Sequence, residues 1–130
     1  MATKGELERI ALALPEVERG TFWGGPAYVV AGKAIANRRE PRRDEGTVDP
    51  ATDEPYTDLI VIHLGGRETK EQVIATFDPD VVFTIPHFAR STAVLAHLDR
   101  IAVDDLEDLL DLAWTGRAPK RLVAERDARG

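Results

Sequence analysis

The chain contains no cysteine. Without thiols it can form neither disulfide bonds nor a thiolate-bound zinc site, and it has no cysteine nucleophile. Long hydrophobic runs are also missing, since the longest, at residues 59–64, is far short of the roughly 20 apolar residues that cross a bilayer. The first residues contain no apolar stretch of the kind that directs secretion. We therefore expect a cytoplasmic protein that does not interact with a membrane.

Nucleophiles and metal ligands are scarce as well. Ser91 is the only serine, and it lies in no Gly-x-Ser-x-Gly turn. No two of the three histidines, His63, His87 and His97, have the i, i+2 or i, i+4 spacing that preorganises a metal site. We expect no metal, no cofactor and no catalytic activity. An enzyme with His87 as general acid or base remains an alternative, but the sequence offers no partner residue for it.

Charge is distributed unevenly along the 130 residues. The chain has 17 Lys and Arg against 23 Asp and Glu, and the resulting net charge of −6 disfavours a polyanionic partner. Five acids and no base lie in residues 104–111, where their periodicity is typical of the solvated face of a helix. Five bases follow in residues 117–130. A local basic patch on an acidic protein therefore remains possible.

Hydrophobic periodicity predicts the regular elements. A capping box at Thr3 and Glu6 precedes a helix at about residues 4–14. Strands are predicted at residues 27–31, 33–39, 58–64, 81–85 and 93–98, and Gly65 and Gly66 end the third of them. Further helices are predicted at about residues 68–77, from Asp104 onward with Glu107 completing the cap, and beyond Pro119. Residues 40–57, with three prolines and many charges, are predicted to be a long exposed loop.

This order of elements predicts the fold class. One domain, residues 1–130, follows from the chain length. The order α-β-β-β-α-β-β-α with short connections favours an α+β fold, a two-layer sandwich of helices on one side of an antiparallel five-stranded sheet. In the strands at 58–64 and 93–98 the more aliphatic alternating sets are expected to face the helices.

Three motifs resemble one known family. They are GTFWGGPAY at residues 20–28, IPHF at 85–88 and APKRL at 118–122. In that order the chain resembles the MmcQ/YjbR family of small bacterial domains, over residues 10–123. The resemblance implies the same two-layer fold. It also implies DNA binding, because members are often described as DNA-binding, although the loop at 40–57 is longer than the family's turn.

Basic residues are the predicted nucleic-acid-binding set. They are Lys33, Arg38, Arg39, Arg42, Arg43, Arg90, Lys120 and Arg121. If folding brings them together, they form a stripe that can follow phosphates. Because nearby acids reduce the cluster at residues 38–45 to a net +1, and no array of base-reading side chains is present, only weak binding to the DNA backbone is expected. For Lys120 and Arg121, complementing the C-terminal dipole of the long helix is the favoured alternative.

The other sheet face is the alternative interaction surface. If it is open, it carries Leu59, Val61, His63, Leu95 and His97. Together with Trp23 and His87 this surface fits a protein or small-molecule adaptor or a homodimer. Coverage of this face by a loop or terminus is an equally good interpretation.

Two aromatic residues and one histidine have competing interpretations. Trp23, among glycines, either stacks on a base or fills a hollow between helix and sheet, and the second interpretation is favoured. Trp114, on the apolar stripe of its helix, is predicted to be core. For His87, anchoring of its loop is favoured over binding a ligand.

Overall fold

A computed structural model describes residues 1–129. Within these residues the helices are α1 (Lys4–Ala13), α2 (Arg67–Thr76), α3 (Val103–Arg117) and α4 (Lys120–Ala128), with a 3-10 helix at Pro86–Phe88. The strands are β1 (Val17–Phe22), β2 (Gly25–Val30), β3 (Lys33–Arg38), β4 (Val48–Asp49), β5 (Glu54–Pro55), β6 (Leu59–His63), β7 (Val82–Phe83) and β8 (Ala93–His97). The predicted α+β fold class is confirmed.

The helix α1 begins at the predicted capping box. The Glu6 backbone N–H donates to Thr3 Oγ1 at 3.1 Å, and the Thr3 N–H donates to Glu6 Oε1 at 3.0 Å. These two bonds satisfy donors that the first turn would otherwise leave free. The apolar stripe of α1, Leu7, Ile10 and Ala11, is buried against the sheet and α3.

The main sheet has six antiparallel strands among the described residues, in the order β1-β2-β3-β6-β8-β7. The prediction of five strands omitted β1, which is an edge strand with exposed Glu18 and Arg19 and few apolar residues. The predicted loop at residues 40–57 contains the small β4-β5 hairpin. Thr47 is buried there, and its hydroxyl is satisfied by hydrogen bonds to the carbonyl oxygens of Arg42 and Asp44.

The two faces of the sheet are both covered. Ile60 and Ile62 of β6 and Val94 and Ala96 of β8 pack with the helices, as the aliphatic pattern predicted. On the opposite face Val61 and Leu95 pack with Ile85, Phe88 and Phe83 from the segment around the 3-10 helix.

Of the two interpretations of this second face, an open surface is therefore wrong, and coverage by other parts of the chain is what the structure shows. Leu59, Val61, His63, Leu95 and His97 are each at most 8% exposed. Tyr56, at the end of the long loop, contacts the His97 ring edge-on at 4.5 Å between ring centroids. Loops, rather than a ligand or a second subunit, remove these side chains from water.

The start of α3 differs from the prediction, whereas the rest of α3 and α4 agree with it. The N-cap residue of α3 is Ala102 rather than Asp104, and it makes no side-chain hydrogen bond to the helix. Asp104 and Asp105 therefore lie in the first turn, where the helix dipole stabilises negative charge. Trp114 is fully buried, as predicted, and its indole N–H donates to the Pro15 carbonyl at 2.9 Å. The predicted short helix after Pro119 is present as α4.

None of the helices within residues 1–129 has the length and apolar character needed to cross a membrane.

Candidate functional site

A tight turn between β1 and β2 places a tryptophan in solvent. Phe22 pairs with Gly25, so Trp23 and Gly24 are the two turn residues, with φ of 53° and 77°. Two positive φ values are typical of a type I′ turn, whose right-handed twist matches that of the flanking strands. Trp23 is 70% exposed, and the favoured interpretation of it as a core residue is wrong.

The Trp23 ring belongs to an aromatic cluster. Its centroid is 4.4 Å from that of Phe22 and 6.5 Å from that of Phe88, and the Phe88 ring is nearly parallel to it, at 21°. Phe22 in turn contacts the buried His63 edge-on at 5.1 Å. The ring is thus supported from the sheet side while most of its surface remains in contact with water.

A buried lysine holds the segment that supplies Phe88. Lys70 of α2 is 8% exposed, and its ammonium donates to the carbonyl oxygens of Phe88 at 2.7 Å and Ser91 at 2.6 Å. Burial lowers the pKa of Lys70, with a smaller contribution from the charge of Arg67. These two bonds attach the 3-10 helix to α2 and thereby fix Phe88 beneath Trp23.

The exposed tryptophan forms one wall of a small cavity, which we name the Trp23 cleft. Its volume is about 70 Å³, and it is lined by Phe22, Trp23, Gly25, Asn37, Arg38, Arg39, Glu40, Arg42, His87 and Phe88. Residues from β1, β2, β3, the long loop and the 3-10 helix therefore meet here, although they are distant in sequence.

Two of the arginines in the cleft are free to meet an anion. Arg42 is 58% exposed in its side chain and reaches Asp44 only at 3.8 Å. The side chain of Arg38 donates no hydrogen bond to the described residues, and its Nε is buried without a partner. A buried donor without a partner is costly, and a shift of the Arg38 side chain toward an anionic ligand would relieve that cost.

Arg39 is different, because its charge is already neutralised. Its side chain is 7% exposed, pairs with Asp44 and lies 5.7 Å from the Phe88 ring centroid. The hydrogen bond from Arg39 lowers the pKa of Asp44, and the charges of Arg39, Arg42 and His87 lower it further. Arg39 was predicted to contact phosphates, but the structure shows it buried as a support for the cleft.

A wider groove adjoins the cleft. It has a volume of about 710 Å³ and shares Gly25, Arg38, Arg39 and Glu40 with the cleft. It is also lined by Lys4 at the start of α1 and by the acids Asp58 and Asp99. Arg38 lies between the two depressions, so a chain-like ligand could extend from one into the other.

The remaining predicted cations lie elsewhere. Lys33 and Arg38 occupy opposite ends of β3, roughly 16 Å apart at the usual rise per strand residue. Lys120 and Arg121 belong to the end of the molecule with Lys33, because Arg117 donates to the Ala34 carbonyl at 3.1 Å. The structure thus divides the predicted basic stripe into two groups.

Three cations of that set have local surroundings unlike those predicted. Arg43 pairs with Asp53, in the turn of the small hairpin, at 3.1 Å, and Arg90 is exposed and does not line the cleft. Arg121, in the first turn of α4, pairs with Glu16 at 3.7 Å between Nη1 and Oε2. The cation in the last turn of α3 is Arg117, so the proposed dipole role passes from Lys120 and Arg121 to Arg117.

The histidines have three different environments. His87 is exposed and lies edge-on to Phe88 at 5.0 Å, so it lines the cleft. His63 Nε2 donates to Asn37 Oδ1 at 2.7 Å, and His97 Nδ1 lies 3.0 Å from Asp58 Oδ1. Among residues 1–129 no group of three or more His, Asp or Glu side chains is arranged to hold a metal ion.

Sequence reasoning missed three residues that shape this region. Lys70, Asn37 and Asp58 were not singled out. Lys70 and Asn37 bind Phe88 and His63, in the cleft and under it, and Asp58 lines the adjoining groove and binds His97. Lys70 could have been found, because it lies three residues before Val73 on the buried side of α2. Asn37 lies opposite Val61 in the sheet register, but only the pairing of β3 with β6 reveals that.

Comparison with known proteins gives relatives along nearly the whole chain. The uncharacterized protein Rv2570 of Mycobacterium tuberculosis and the uncharacterized protein Mb2600 of Mycobacterium bovis are each 34% identical to it over 126 residues, 95% of this chain and 94% of theirs. The chain belongs to the family of these mycobacterial proteins. No protein-family model matches it. No solved structure matches it either. The MmcQ/YjbR resemblance stays a prediction.

The turn geometry predicts that Trp23 does not contribute to stability. A bulky residue at positive φ is strained by about 1–3 kcal/mol, whereas asparagine tolerates this region and Asn-Gly is the preferred type I′ pair. We expect Trp23→Asn to unfold at the same temperature as the wild type or a few degrees higher, despite the lost ring contacts. Thermal unfolding followed by circular dichroism measures this. A marked fall in the melting temperature would show that Trp23 is needed for packing.

Proposed function

We propose that this protein is a non-catalytic cytoplasmic binding domain of MmcQ/YjbR type that binds nucleic acid weakly and without sequence specificity, through the phosphate backbone. The observation that carries the proposal is the pair Arg38 and Arg42 in the Trp23 cleft. Within residues 1–129 Arg38 has no carboxylate partner and a buried donor without a hydrogen bond, and Arg42 shares Asp44, at 3.8 Å, with the more closely paired Arg39. Guanidinium groups with free donors are well suited to phosphate oxygens.

The charge of the cleft supports weak binding. Three arginines, Arg38, Arg39 and Arg42, face two acids, Glu40 and Asp44, which leaves a net +1. With so few phosphates neutralised, affinity is expected only at low salt. Because the whole chain carries −6, the field around the cleft does not attract a polyanion over long distances.

The polar groups of the cleft support binding without sequence specificity. Asn37, whose amide could read a base edge, accepts from His63 and lies with its NH₂ group 3.4 Å from the Arg38 carbonyl. Its hydrogen-bonding groups are thus used within the protein. The cleft therefore offers charge and an aromatic ring, but no free amide to distinguish one base from another.

The alternative function, an adaptor that binds through an open sheet face, has no support in the structure, because that face is not exposed. The five side chains that were to form it are buried by loops of the same chain. Trp23 and His87, which completed that predicted surface, line the cleft instead.

A salt titration tests the phosphate contacts. Fluorescence anisotropy with labelled single-stranded and duplex DNA is measured from low ionic strength upward for the wild type, Arg38→Ala and Arg42→Ala. Each variant is expected to weaken binding and to reduce the slope of log K against log salt by about 1, the loss of one phosphate contact.

The matched control is Arg9→Ala. Arg9 is exposed on α1, in a groove with Glu107, Asp108 and Asp111, and its removal changes the net charge equally. It is expected to leave the slope unchanged. An equal loss for all three variants would mean that only net charge matters, and absence of binding at low salt would reject the proposed function.

A further inference from the structure

The conformation of Trp23 calls for a reason other than stability. A large aromatic residue occupies a left-handed turn position and is 70% exposed, although the turn prefers a small polar residue. Backbone strain of this kind persists where surrounding structure enforces it, and it is common at ligand sites. Here Phe22 and Phe88 keep the ring at the rim of the cleft.

We propose that the ligand of the Trp23 cleft is a single-stranded nucleic acid, with an unpaired base stacked on the Trp23 ring and the neighbouring phosphates bound by Arg38 and Arg42. This inference rests on the proposed function and specifies its substrate class. Base stacking on aromatic side chains tolerates any sequence, because every base has a flat face.

The arrangement of the cleft fits a flexible strand. The aromatic surface and the free guanidinium groups lie around one cavity of about 70 Å³, so a base and its own backbone can be contacted together. The adjoining groove, which is lined by Lys4 as well as by the acids Asp58 and Asp99, gives the strand a path beyond Arg38. In a duplex the base faces are covered by their neighbours, and no base could reach Trp23 without leaving the stack.

Phosphate binding alone predicts the opposite preference. Duplex DNA carries one charge per about 1.7 Å of its axis, more than a single strand, so a purely electrostatic site favours the duplex. The sign of the preference therefore distinguishes stacking from simple charge attraction.

The experiment compares three labelled ligands of equal length. They are oligothymidylate, a strand of abasic sugar phosphates and a duplex, each titrated by anisotropy at one low salt concentration. The wild type is expected to bind oligothymidylate about tenfold more tightly than the abasic strand, the effect of one stacked base. It is also expected to bind oligothymidylate more tightly than the duplex.

Trp23→Asn is the test variant, since its turn is expected to remain folded, and circular dichroism checks this. It should bind oligothymidylate about tenfold more weakly and no better than the abasic strand. The wild-type tryptophan emission should be quenched by oligothymidylate, and this quenching should vanish in Trp23→Asn, because Trp114 is fully buried.

The outcomes separate the two proposals. If no ligand binds at low salt, the proposed function fails and this inference fails with it. If the abasic strand and the duplex bind as well as oligothymidylate, phosphate binding stands and base stacking is rejected. A single thymidine nucleotide that displaces the strand at similar concentration would show a mononucleotide site and would overturn the strand as ligand.

Discussion

Replacing Gly116 with alanine is expected to lower the free energy of unfolding by about 3 kcal/mol, the upper part of the range for overpacking. Gly116 lies in α3, where the helix backbone meets the end of β6. An added Cβ would overlap the Leu64 carbonyl oxygen and come within 3.2 Å of its carbon and 3.5 Å of Gly65 Cα. All three obstacles are backbone atoms, which cannot rotate away as a side chain can.

Gly65 makes the same contact from the other side. Its φ is 81°, and a Cβ there would lie 2.6 Å from the Gly116 carbonyl oxygen. The two glycines thus allow α3 to touch the turn that ends β6. This contact places α3 against β3 and β6, the strands that carry Asn37 and His63 below the cleft.

Urea denaturation of Gly116→Ala measures the loss, with Gly5→Ala as the control. Gly5 lies in the first turn of α1, and a Cβ there would meet only Thr3 Oγ1 at 3.9 Å. Because alanine is the better helix former, Gly5→Ala should be neutral or stabilise the fold by up to about 1 kcal/mol. Equal midpoints for Gly116→Ala and the wild type would show that α3 can move from β6 at no cost.

The regular elements were predicted well where local chemistry decides them. The capping box at Thr3 and Glu6 defines the start of α1, and alternating aliphatic residues define β6 and the face it turns to the helices. The strand β1 was not predicted, because it is stabilised by pairing with β2 rather than by burial of its own side chains. Its neighbours along the sheet, not its residues, make it a strand.

The candidate site could be predicted only in part. Trp23 and Arg38 were singled out from motif and charge, but their meeting with Phe88 depends on Lys70, which attaches a segment 18 residues away. The same segment buries the sheet face that was expected to be open. The position of such a loop depends on tertiary contacts, and the hydrophobic periodicity of the sequence does not indicate them.

Acidification from about pH 6.5 to about pH 4 is expected to remove about 3 kcal/mol of stability through His63 alone, at 1.36 kcal/mol for each pKa unit. Burial lowers the pKa of His63 to about 4, and the charge of Arg117 contributes a smaller part. In the unfolded chain the imidazole titrates near its ordinary value of 6.5. As the pH falls from 6.5 to 4, His63 becomes protonated in the unfolded state but stays neutral in the folded state, so unfolding becomes more favourable.

The stability contributed by neutral His63 is therefore complete above pH 6.5 and lost as the pH approaches 4. Urea midpoints across this range measure it, and His63→Gln is the test variant because its amide can still donate to Asn37. The variant should be less pH-dependent than the wild type by about 3 kcal/mol over the range. His87→Gln is the control, since it makes the same substitution at an exposed position, outside the buried contact with Asn37. Parallel profiles for His63→Gln and the wild type would mean that the imidazole accepts a proton in the folded protein. The bond to Asn37 could persist, because a protonated ring still donates from Nε2, so water would have to reach the ring from beside Phe22 at the base of the cleft.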